Sequence, residues 1–562
     1  MYNLLIGGAA GQGIDTTVAI LERLLKKSGY FVYATRDLMS RIRGGHNFSL
    51  IRFGSEPITS HSNRLDGIIA LNSETVELHK EELDPKGFIL CDTSLAIEES
   101  RAIALDMNGK AKALGNVRVS GSIAIGAILK LFGLKTEGAE AVFKTAVKAP
   151  FVEINLKALE EGYNSVAEKF PYLGGSYSDY MIISGNKALC LGSIAAGLTF
   201  YSAYPMSPST SIMEYLATKA NDASIVVEQA EDEIAAINMA IGASFAGAKA
   251  MTGTSGGGFS LKVEALGLAG MAEVPLVVVD VQRPGPVTGL PTRTEQSDLK
   301  FVISASQGEF PRMVIALRNH TDAFTQTIRA FNLAEKFQIP VIILSDQYLA
   351  ETTTTVPLYD LSGITRVEPL GADGKEETLP EGEEYLRYRY TDSGISPRRV
   401  PGTFNGFVSA DSDEHDEKGY IIESADVRIR MMDKRMKKLD LLEQELIEPE
   451  FIGEEECETL LLSWGSLDGP VKEAITLLNK EGKGKFGALV FGDIFPLPKK
   501  VLLDKASKAS RIINVEQNAT GQLAGLVREY TGIACNASVL KYDGRQLSGE
   551  EIALRVGKET WA

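Results

Sequence analysis

The chain has 562 residues, 44% hydrophobic and 23% charged, a composition typical of a globular protein with about three or four domains. Its formal net charge of -16 excludes nucleic acid and an anionic membrane surface as main partners, because both bind basic surfaces. No apolar stretch reaches the roughly 18 residues of a membrane-spanning helix, and the first residues carry no basic leader typical of a signal peptide.

The first predicted segment, residues 1–180, alternates strands with helices. A strand over 2–6 leads into the turn GGAAGQGID and an amphipathic helix, TTVAILERLLKK. The glycine spacing does not fit the dinucleotide fingerprint GxGxxG, which weakens the alternative of an NAD-dependent dehydrogenase. The start of this helix can bind a phosphate, and a tight strand-to-helix turn is the alternative interpretation of the glycines.

Three further segments follow along the chain. Residues 186–355 contain the clearest strands, which are LTFYSAYP, SIVVEQ, AKAMTG, PLVVVDVQ and PVIILSD. Residues 356–455 form a long polar connection with one charged helix, VRIRMMDKRMKKLDLLEQELIE. Residues 456–562 return to alternation with the strands TLLLSWGS, FGALVFG and RIINVEQN. The alternation predicts an α/β fold with three α/β domains.

Four loops of the second segment carry polar or glycine-rich residues where predicted strands end. They are YPMSPST, EQAE, TGTSGGGF and QRPGPVTGLPT. If the strands are parallel, these loops open at one edge of the sheet, where ligands bind. Arg283 lies in a loop constrained by proline and glycine, and a guanidinium held in this way suits a carboxylate ligand. Taken singly, each loop is also explained as a turn or a helix cap.

An acidic cluster lies where a buried strand passes into an Ala- and Ile-rich helix. Its members are Glu228, Glu231, Asp232 and Glu233. Acidic residues favour the first turn of a helix because they offset its dipole, and this is the simplest explanation of the cluster. Periodicity does not choose one of the four for a site.

These stretches resemble the alpha subunit of 2-oxoacid:ferredoxin oxidoreductases, particularly the two-subunit 2-oxoglutarate synthase type with a fused gamma domain. GAAGQGI and SRIRGGHNF resemble the gamma domain, EQAEDE and GPVTGLPT the pyrimidine-binding domain, and SWGS, FPLP and VEQNATGQLA the transketolase C-terminal-like domain. The resemblance implies a gamma domain over 1–180, a pyrimidine-binding alpha domain over 186–355, a linker with a charged helix over 356–455 and a transketolase C-terminal-like domain over 456–562.

The resemblance implies thiamine diphosphate chemistry at an interface between unlike subunits. It assigns to Glu231 the contact with N1′ of the aminopyrimidine, where a carboxylate favours the imino tautomer that takes the thiazolium proton. Pro205 is assigned to the same cofactor. Gly11 and Gly13 are assigned to coenzyme A, and the stretch from Arg43 to His46 is a further candidate for it.

The resemblance also implies a substrate site. It assigns Ser207, Arg283 and Thr292 to the 2-oxoacid and its carboxylate. Three positions depart from the family pattern, because Ser207 replaces Thr, Gly257 replaces Pro and Val287 replaces Ser. The substrate therefore stays open between 2-oxoglutarate and pyruvate, branched-chain or aryl 2-oxoacids, with Arg293 a candidate for a distal carboxylate.

Two motifs of this chemistry are absent from the chain. The GDG…Asn motif that binds diphosphate and Mg²⁺ is missing, and the four cysteines contain no CxxC pair for a [4Fe–4S] cluster. We therefore expect no metal site here and a beta subunit that supplies diphosphate, Mg²⁺ and cluster, in a heterodimer or a dimer of heterodimers with ferredoxin as electron acceptor. The cysteine usage predicts a cytoplasmic protein. A non-catalytic docking subunit is the alternative of another class.

Overall fold

A computed structural model describes residues 1–39, 44–369, 379 and 383–561. The chain forms two compact units. The first unit contains Met1–Ser184, Glu351–Tyr359 and Ser548–Glu550, and the second contains Gly185–Ala350, Asp360–Leu547 and Glu551–Ala562. Within the described ranges, no helix is both long and apolar enough to cross a membrane.

Residues 1–184 contain both strands and helices, but in runs rather than in strict alternation, because β2 to β4 and α3 to α6 follow one another directly. The strands are β1 Tyr2–Ala10, β2 Phe31–Asp37, β3 Gly44–Gly54, β4 Leu65–Ala70, β5 Leu83–Asp92, β6 Ala102–Leu105 and β7 Met181–Ser184. The helices are α1 Ile14–Lys27, α2 Ser73–His79, α3 Met107–Ala113, α4 Ser120–Leu131, α5 Ala139–Ala146 and α6 Val152–Tyr163. Strand β1 runs further than predicted, so only residues 11–13 form the turn before α1.

Residues 185–356 contain eight helices and seven strands. The helices are α7 Gly185–Ala196, α8 Thr210–Ala223, α9 Glu233–Phe245, α10 Gly256–Phe259, α11 Val263–Met271, α12 Leu299–Ser304, α13 His320–Phe337 and α14 Gln347–Glu351. The strands are β8 Phe200–Ala203, β9 Val226–Gln229, β10 Ala250–Thr254, β11 Leu276–Gln282, β12 Met313–Ala316, β13 Pro340–Asp346 and β14 Thr353–Val356.

The described remainder of the chain starts with a polar segment. Its helices are α15 Ala425–Met436 and α16 Lys438–Leu442, followed by α17 Asp468–Glu481, α18 Lys500–Lys508, α19 Gln522–Thr531 and α20 Gly549–Trp561. Its strands are β15 Glu450–Gly453, β16 Thr459–Trp464, β17 Phe486–Phe491, β18 Asp493–Phe495, β19 Arg511–Glu516 and β20 Ala537–Leu540. The predicted charged helix is therefore two helices that meet at Lys437.

Three sheets organise these elements. The first unit has an eight-stranded mixed sheet of order β6-β5-β4-β1-β3-β2-β14-β7. The second unit has a seven-stranded sheet of order β18-β12-β13-β11-β10-β8-β9 and a five-stranded sheet of order β15-β17-β16-β19-β20. The predicted α/β class with three α/β domains is confirmed.

The seven-stranded sheet is parallel wherever it supports the predicted site. Strand β8 pairs in parallel with β9 and β10, and β10 pairs in parallel with β11. Strands β10, β11 and β13 are buried along their whole length, because helices cover both faces of a parallel sheet. Their side chains share one core with Trp464 and Leu489 of the five-stranded sheet.

Two stretches that lie far along the chain from residues 1–184 also belong to the first unit. Strand β14, at the predicted boundary of 355, pairs with β2 and β7 in the sheet of the first unit. Ser548–Glu550 also belongs to the first unit, where Ser62 Oγ donates to Glu550 Oε1 at 2.9 Å. Sequence periodicity assigns residues to elements, whereas these assignments depend on backbone pairing between distant parts of the chain.

A buried charge cluster lies where the polar segment packs against the rest of the second unit. Glu273 is fully buried beside Lys434 and Lys438, whose ammonium nitrogens lie 2.6 and 2.5 Å from its carboxylate oxygens. Burial raises the pKa of Glu273, but the charges of Lys438, Lys434 and Arg387 outweigh it and hold this pKa far below its usual value. Charged residues of α15 and α16 are therefore buried where they meet Glu273.

Candidate functional site

The four predicted site loops lie at one edge of the seven-stranded sheet. They leave the carboxyl ends of β8, β9, β10 and β11, which are consecutive neighbours in the order β11-β10-β8-β9. All three pairings among these strands are parallel. The loops therefore open on the same side, as the sequence predicts.

The first and fourth loops are in direct contact through two predicted substrate residues. Arg283 Nη1 donates a hydrogen bond to the carbonyl oxygen of Ser207 at 2.6 Å. The loop of Ser207 is fixed from below by Asn186, whose Nδ2 donates to the Pro208 carbonyl at 3.1 Å. Ser207 is exposed and Arg283 is partly buried, so the pair borders an accessible surface. The hydrogen bond to Ser207 holds the Arg283 guanidinium in place at this surface.

The acidic cluster divides into residues with different roles. Asp232 caps α9, since its Oδ1 accepts from Ala235 N at 2.7 Å. Glu231 is exposed to solvent at the edge of the site. Glu233 is only 4% exposed, and its Oε1 has no hydrogen-bond partner in the described part of the chain. A buried carboxylate oxygen without a partner is costly, which makes it a candidate for a ligand contact.

In the sequence analysis, Glu233 is not distinguished from the other acidic residues of the cluster. The available signal was its spacing, because Glu233 lies four residues before Ile237 and therefore on the buried face of α9. An acidic residue on a buried face differs from its neighbours at the helix start.

The glycine run of the third loop allows three close approaches. A Cβ atom at Gly258 would overlap Thr254 Oγ1 and would lie 2.6 Å from Glu233 Oε1. One at Gly257 would lie 3.1 Å from the Val287 carbonyl oxygen, and one at Gly256 would overlap the Asp298 carboxylate. The glycines therefore let the helix start after β10 pack against the other site loops.

Pro205 and Thr292 lie on the same edge. Pro205 is partly buried and precedes Met206, whose sulfur lies 4.0 Å from Thr254 Oγ1. Thr292 is partly buried in the second half of the fourth loop, after the loop folds back through a 3.1 Å hydrogen bond from Leu290 N to the Pro284 carbonyl. Their assignments to cofactor and substrate stay predictions.

The carboxyl group of Asp298 lies near Arg283, and that of Asp280 lies near Asp298. Asp298 N donates to Gln282 Oε1 at 3.1 Å, and Gln282 directly precedes Arg283 in the chain. Burial and then the charge of Glu295 raise the pKa of Asp298 to about 7, although Arg283 lowers it. Burial, reinforced by Asp298, raises the pKa of fully buried Asp280 well above its usual value. Near neutral pH, Asp298 is therefore partly protonated.

A separate cavity lies in the first unit at the start of α1. It has a volume of about 640 Å³ and is lined by Gly11, Gly13, Asn108, Arg118 and other residues. Gly11 and Gly13 have φ angles of 93° and 81°, a left-handed conformation that favours glycine. The predicted coenzyme glycines thus line a cavity; Arg43 lies outside the described residues.

Metal-ligating residues do not cluster in the described parts of the chain. No group of three or more His, Cys, Asp or Glu side chains there is arranged to hold a metal ion. Cys91, Cys190, Cys457 and Cys535 are free thiols. The expected Mg²⁺ and iron–sulfur sites of a partner are not tested by this observation.

Several known proteins are similar to this chain over most of its length. An alpha subunit of 2-oxoacid:ferredoxin oxidoreductase from a Sulfolobus species is 32% identical, and the alignment covers 97% of this chain and 95% of the relative. This chain belongs to that family of alpha subunits. The 2-oxoglutarate oxidoreductase subunit KorA of Mycobacterium tuberculosis is 31% identical over 83% of this chain and 73% of its own length.

Family profiles and a solved structure agree with the alpha-subunit assignment. Residues 191–434 match a pyruvate flavodoxin/ferredoxin oxidoreductase, thiamine diphosphate-binding profile, and residues 3–165 match a pyruvate ferredoxin/flavodoxin oxidoreductase profile. The alpha subunit is similar to a 2-oxoglutarate:ferredoxin oxidoreductase from Magnetococcus marinus, with a TM-score of 0.91, 32% identity and 99% coverage of both chains. That structure contains 2-oxoglutarate, coenzyme A and succinyl-CoA. The predicted family is confirmed.

Proposed function

We propose that this alpha subunit, together with a second subunit, catalyses coenzyme A-dependent oxidative decarboxylation of 2-oxoglutarate to succinyl-CoA, or the reverse. Ferredoxin would carry the electrons one at a time. The observation that carries the proposal is the contact between Arg283 and Ser207 at the carboxyl edge of a parallel sheet, because it positions a guanidinium where ligands bind. The ligands of the Magnetococcus marinus relative support the choice of 2-oxoglutarate.

The residues at this edge fit the pyrimidine half of thiamine diphosphate. Such a site needs a carboxylate for N1′ and a backbone that comes close to the ring. Glu233 offers an oxygen without a partner among the described residues, and the glycines at 256–258 carry no side chains. Pro205 borders the same edge. When bound, the cofactor supplies the electron sink for decarboxylation.

Two carboxylates are candidates for the N1′ contact. The family resemblance selects Glu231, and the burial of Glu233 favours Glu233 instead, because a hydrogen bond in a buried site is stronger than one in water. Glutamine keeps the shape of either side chain and removes its charge. The two single variants therefore form a matched pair.

We expect Glu233→Gln to reduce turnover about 100-fold or more, the usual effect of removing one preorganised hydrogen-bonding group from an active site. Glu231→Gln should reduce turnover less than about tenfold. Turnover is measured with a viologen acceptor in complexes co-purified with the partner subunit. The opposite ranking would return the role to Glu231. Full activity in both variants would contradict a pyrimidine-binding role for this helix start.

We also propose that the cavity of the first unit binds coenzyme A. Gly11 and Gly13 provide the turn before α1, and the start of this helix presents backbone N–H groups to a phosphate. Arg118 is exposed at the same cavity and adds a cation for the phosphate groups of the coenzyme.

A beta subunit that brings diphosphate, Mg²⁺ and a [4Fe–4S] cluster completes the proposed enzyme. Large apolar side chains are exposed on the site loops, on α9 and between α10 and α11, namely Tyr204, Ile234, Met239, Leu261, Val287 and Leu290. Such exposure around a site is typical of a protein interface. We propose a heterodimer or a dimer of heterodimers in the cytoplasm.

The 2-oxoacid is the finest part of the proposal. Activity with 2-oxoglutarate, pyruvate, branched-chain and aryl 2-oxoacids distinguishes the candidates in one assay. We expect the highest kcat/KM for 2-oxoglutarate. A higher value for pyruvate would change the substrate and leave the reaction class intact.

A further inference from the structure

Lys262 is a fully buried cation beneath the start of α9. It is 0% exposed and lies just before α11. Its Nζ donates to Thr252 Oγ1 at 2.9 Å and to the backbone carbonyl of Glu233 at 3.3 Å. An ammonium group this deeply buried is costly unless it is paired and hydrogen-bonded. Lys262 therefore contacts the first turn of α9, next to the carboxylates proposed to bind the cofactor.

The charges that face Lys262 come from this same turn. Burial lowers the pKa of Lys262 to about 8, and the charges of Glu233 and then Asp232 raise it in opposition. Besides the Glu233 carbonyl, its ammonium donates to the neutral hydroxyl of Thr252 on β10. The buried Glu233 carboxylate therefore has a buried opposite charge nearby.

We propose that Lys262 is the positioning residue of the thiamine-binding carboxylate: its ammonium fixes the first turn of α9 through the Glu233 carbonyl and places a buried positive charge near the Glu233 side chain. This inference rests on the proposed function of the site. A buried positive charge attracts a nearby carboxylate more strongly than it would in water, so it holds the side chain in place. Lys262 thus acts on the cofactor through Glu233 and does not touch it.

The pH dependence of thiamine diphosphate binding separates this role from simple packing. Lys262 is charged below its pKa of about 8 and loses its charge above it, so cofactor affinity should fall as the pH rises through about 8. In Lys262→Arg the group stays charged at all accessible pH values. The alkaline loss of affinity should therefore disappear in that variant.

The experiment uses the full chain co-purified with its partner subunit. Thiamine diphosphate binding is measured by calorimetry from about pH 6.5 to about pH 9.5, a range that spans the titration of a perturbed lysine. We expect the wild-type affinity to fall about tenfold over this range, the Lys262→Arg affinity to stay constant and the Lys262→Met affinity to be at least about tenfold weaker throughout.

Two controls separate positioning from folding. Lys249 is also a buried lysine, but it precedes β10 at the opposite end of the strand, where its Nζ donates to the Ala196 carbonyl at 3.1 Å. Lys249→Met should lower the melting temperature and leave the pH dependence of binding unchanged. If Lys262→Met does not fold, the double variant Glu233→Gln/Lys262→Met removes both charges and should fold without binding the cofactor tightly.

If Lys262→Met binds thiamine diphosphate as tightly as the wild type, the inference about Lys262 is wrong and the proposed function stands. The same holds if Lys262→Arg still loses affinity at alkaline pH. Tight cofactor binding by the double variant would overturn the inference too. A wild-type complex that binds no thiamine diphosphate at any pH would instead contradict the proposed function.

Discussion

At the scale of single residues, Arg283, the arginine predicted to bind the substrate, lies near an acid that titrates near neutral pH. The pKa of Asp298 is raised to about 7 by burial and by Glu295, and Arg283 lowers it. Below this pKa, Asp298 is neutral and the charge of Arg283 is available to an anionic substrate. Above it, the ionised Asp298 attracts Arg283 and repels the substrate carboxylate.

The KM for the 2-oxoacid should therefore rise about fivefold as the pH increases from about 6.5 to about 8.5, a change of about 1 kcal/mol, which is the interaction of two unit charges about 4 Å apart in a medium as polar as water. Asp298→Asn should give a low KM that does not change with pH over this range. Steady-state kinetics of the two-subunit complex, with kcat followed separately, checks both statements. A variant with the wild-type pH profile would remove Asp298 from substrate binding.

Arg283→Lys is the companion variant. It replaces a fork of N–H donors by a point charge, so we expect a KM about tenfold higher with little change in kcat. An unchanged KM would mean that the arginine does not bind the substrate, and the pH effect of Asp298 would then need another cause.

At the scale of elements, the glycine run and the long helix α9 respond differently to an added methyl group. A Cβ at Gly258 would overlap Thr254 Oγ1, whereas one at Gly242, inside α9, meets no atom within 4 Å. Overpacking costs about 1–3 kcal/mol, and alanine in a helix interior is favoured over glycine by about 1 kcal/mol.

Gly258→Ala should therefore lower the free energy of unfolding by about 1–3 kcal/mol, and Gly242→Ala should raise it by about 0.5–1 kcal/mol. Denaturant unfolding of the isolated chain measures both. Equal effects of the two substitutions would argue against the close packing of the glycine run. The same comparison separates a glycine needed for space from one that is only tolerated.

The sequence predicts these strands and loops well, but it predicts poorly which side chains are buried against one another. The apolar runs of β10, β11 and β13 and the loops after them follow from local patterning, and so does the convergence of Ser207 and Arg283 once the strands are parallel. The difference between exposed Glu231 and buried Glu233 depends on which face of α9 packs inward. Local sequence patterning does not single out Lys262, because its partners are ten and 29 positions away.

At the scale of the whole molecule, the chain carries half of a proposed cofactor site. It lacks the diphosphate and cluster motifs in its sequence, and exposed apolar side chains surround the half that it has. An interface of this kind excludes water from the reacting groups only when the partner is bound. The isolated chain should therefore be less active by orders of magnitude.

We expect no detectable 2-oxoacid oxidation by the purified chain and full activity after addition of the beta subunit. A viologen-linked assay with increasing amounts of the second subunit measures this, and the activity should saturate at a fixed subunit ratio. Turnover by the chain alone would show that the proposed division of the site between two polypeptides is wrong.

The position of β14 also has a consequence for biosynthesis. This strand is inserted between β2 and β7, although about 170 residues of the second unit separate it from β7 along the chain. A ribosome cannot release a finished first unit when residue 184 emerges, because the gap beside β2 is filled only after β14 has been translated. Until then the nascent chain exposes an open strand edge, and edges of this kind recruit other chains. Assembly of the amino-terminal unit must therefore wait for the synthesis of a later part of the gene product.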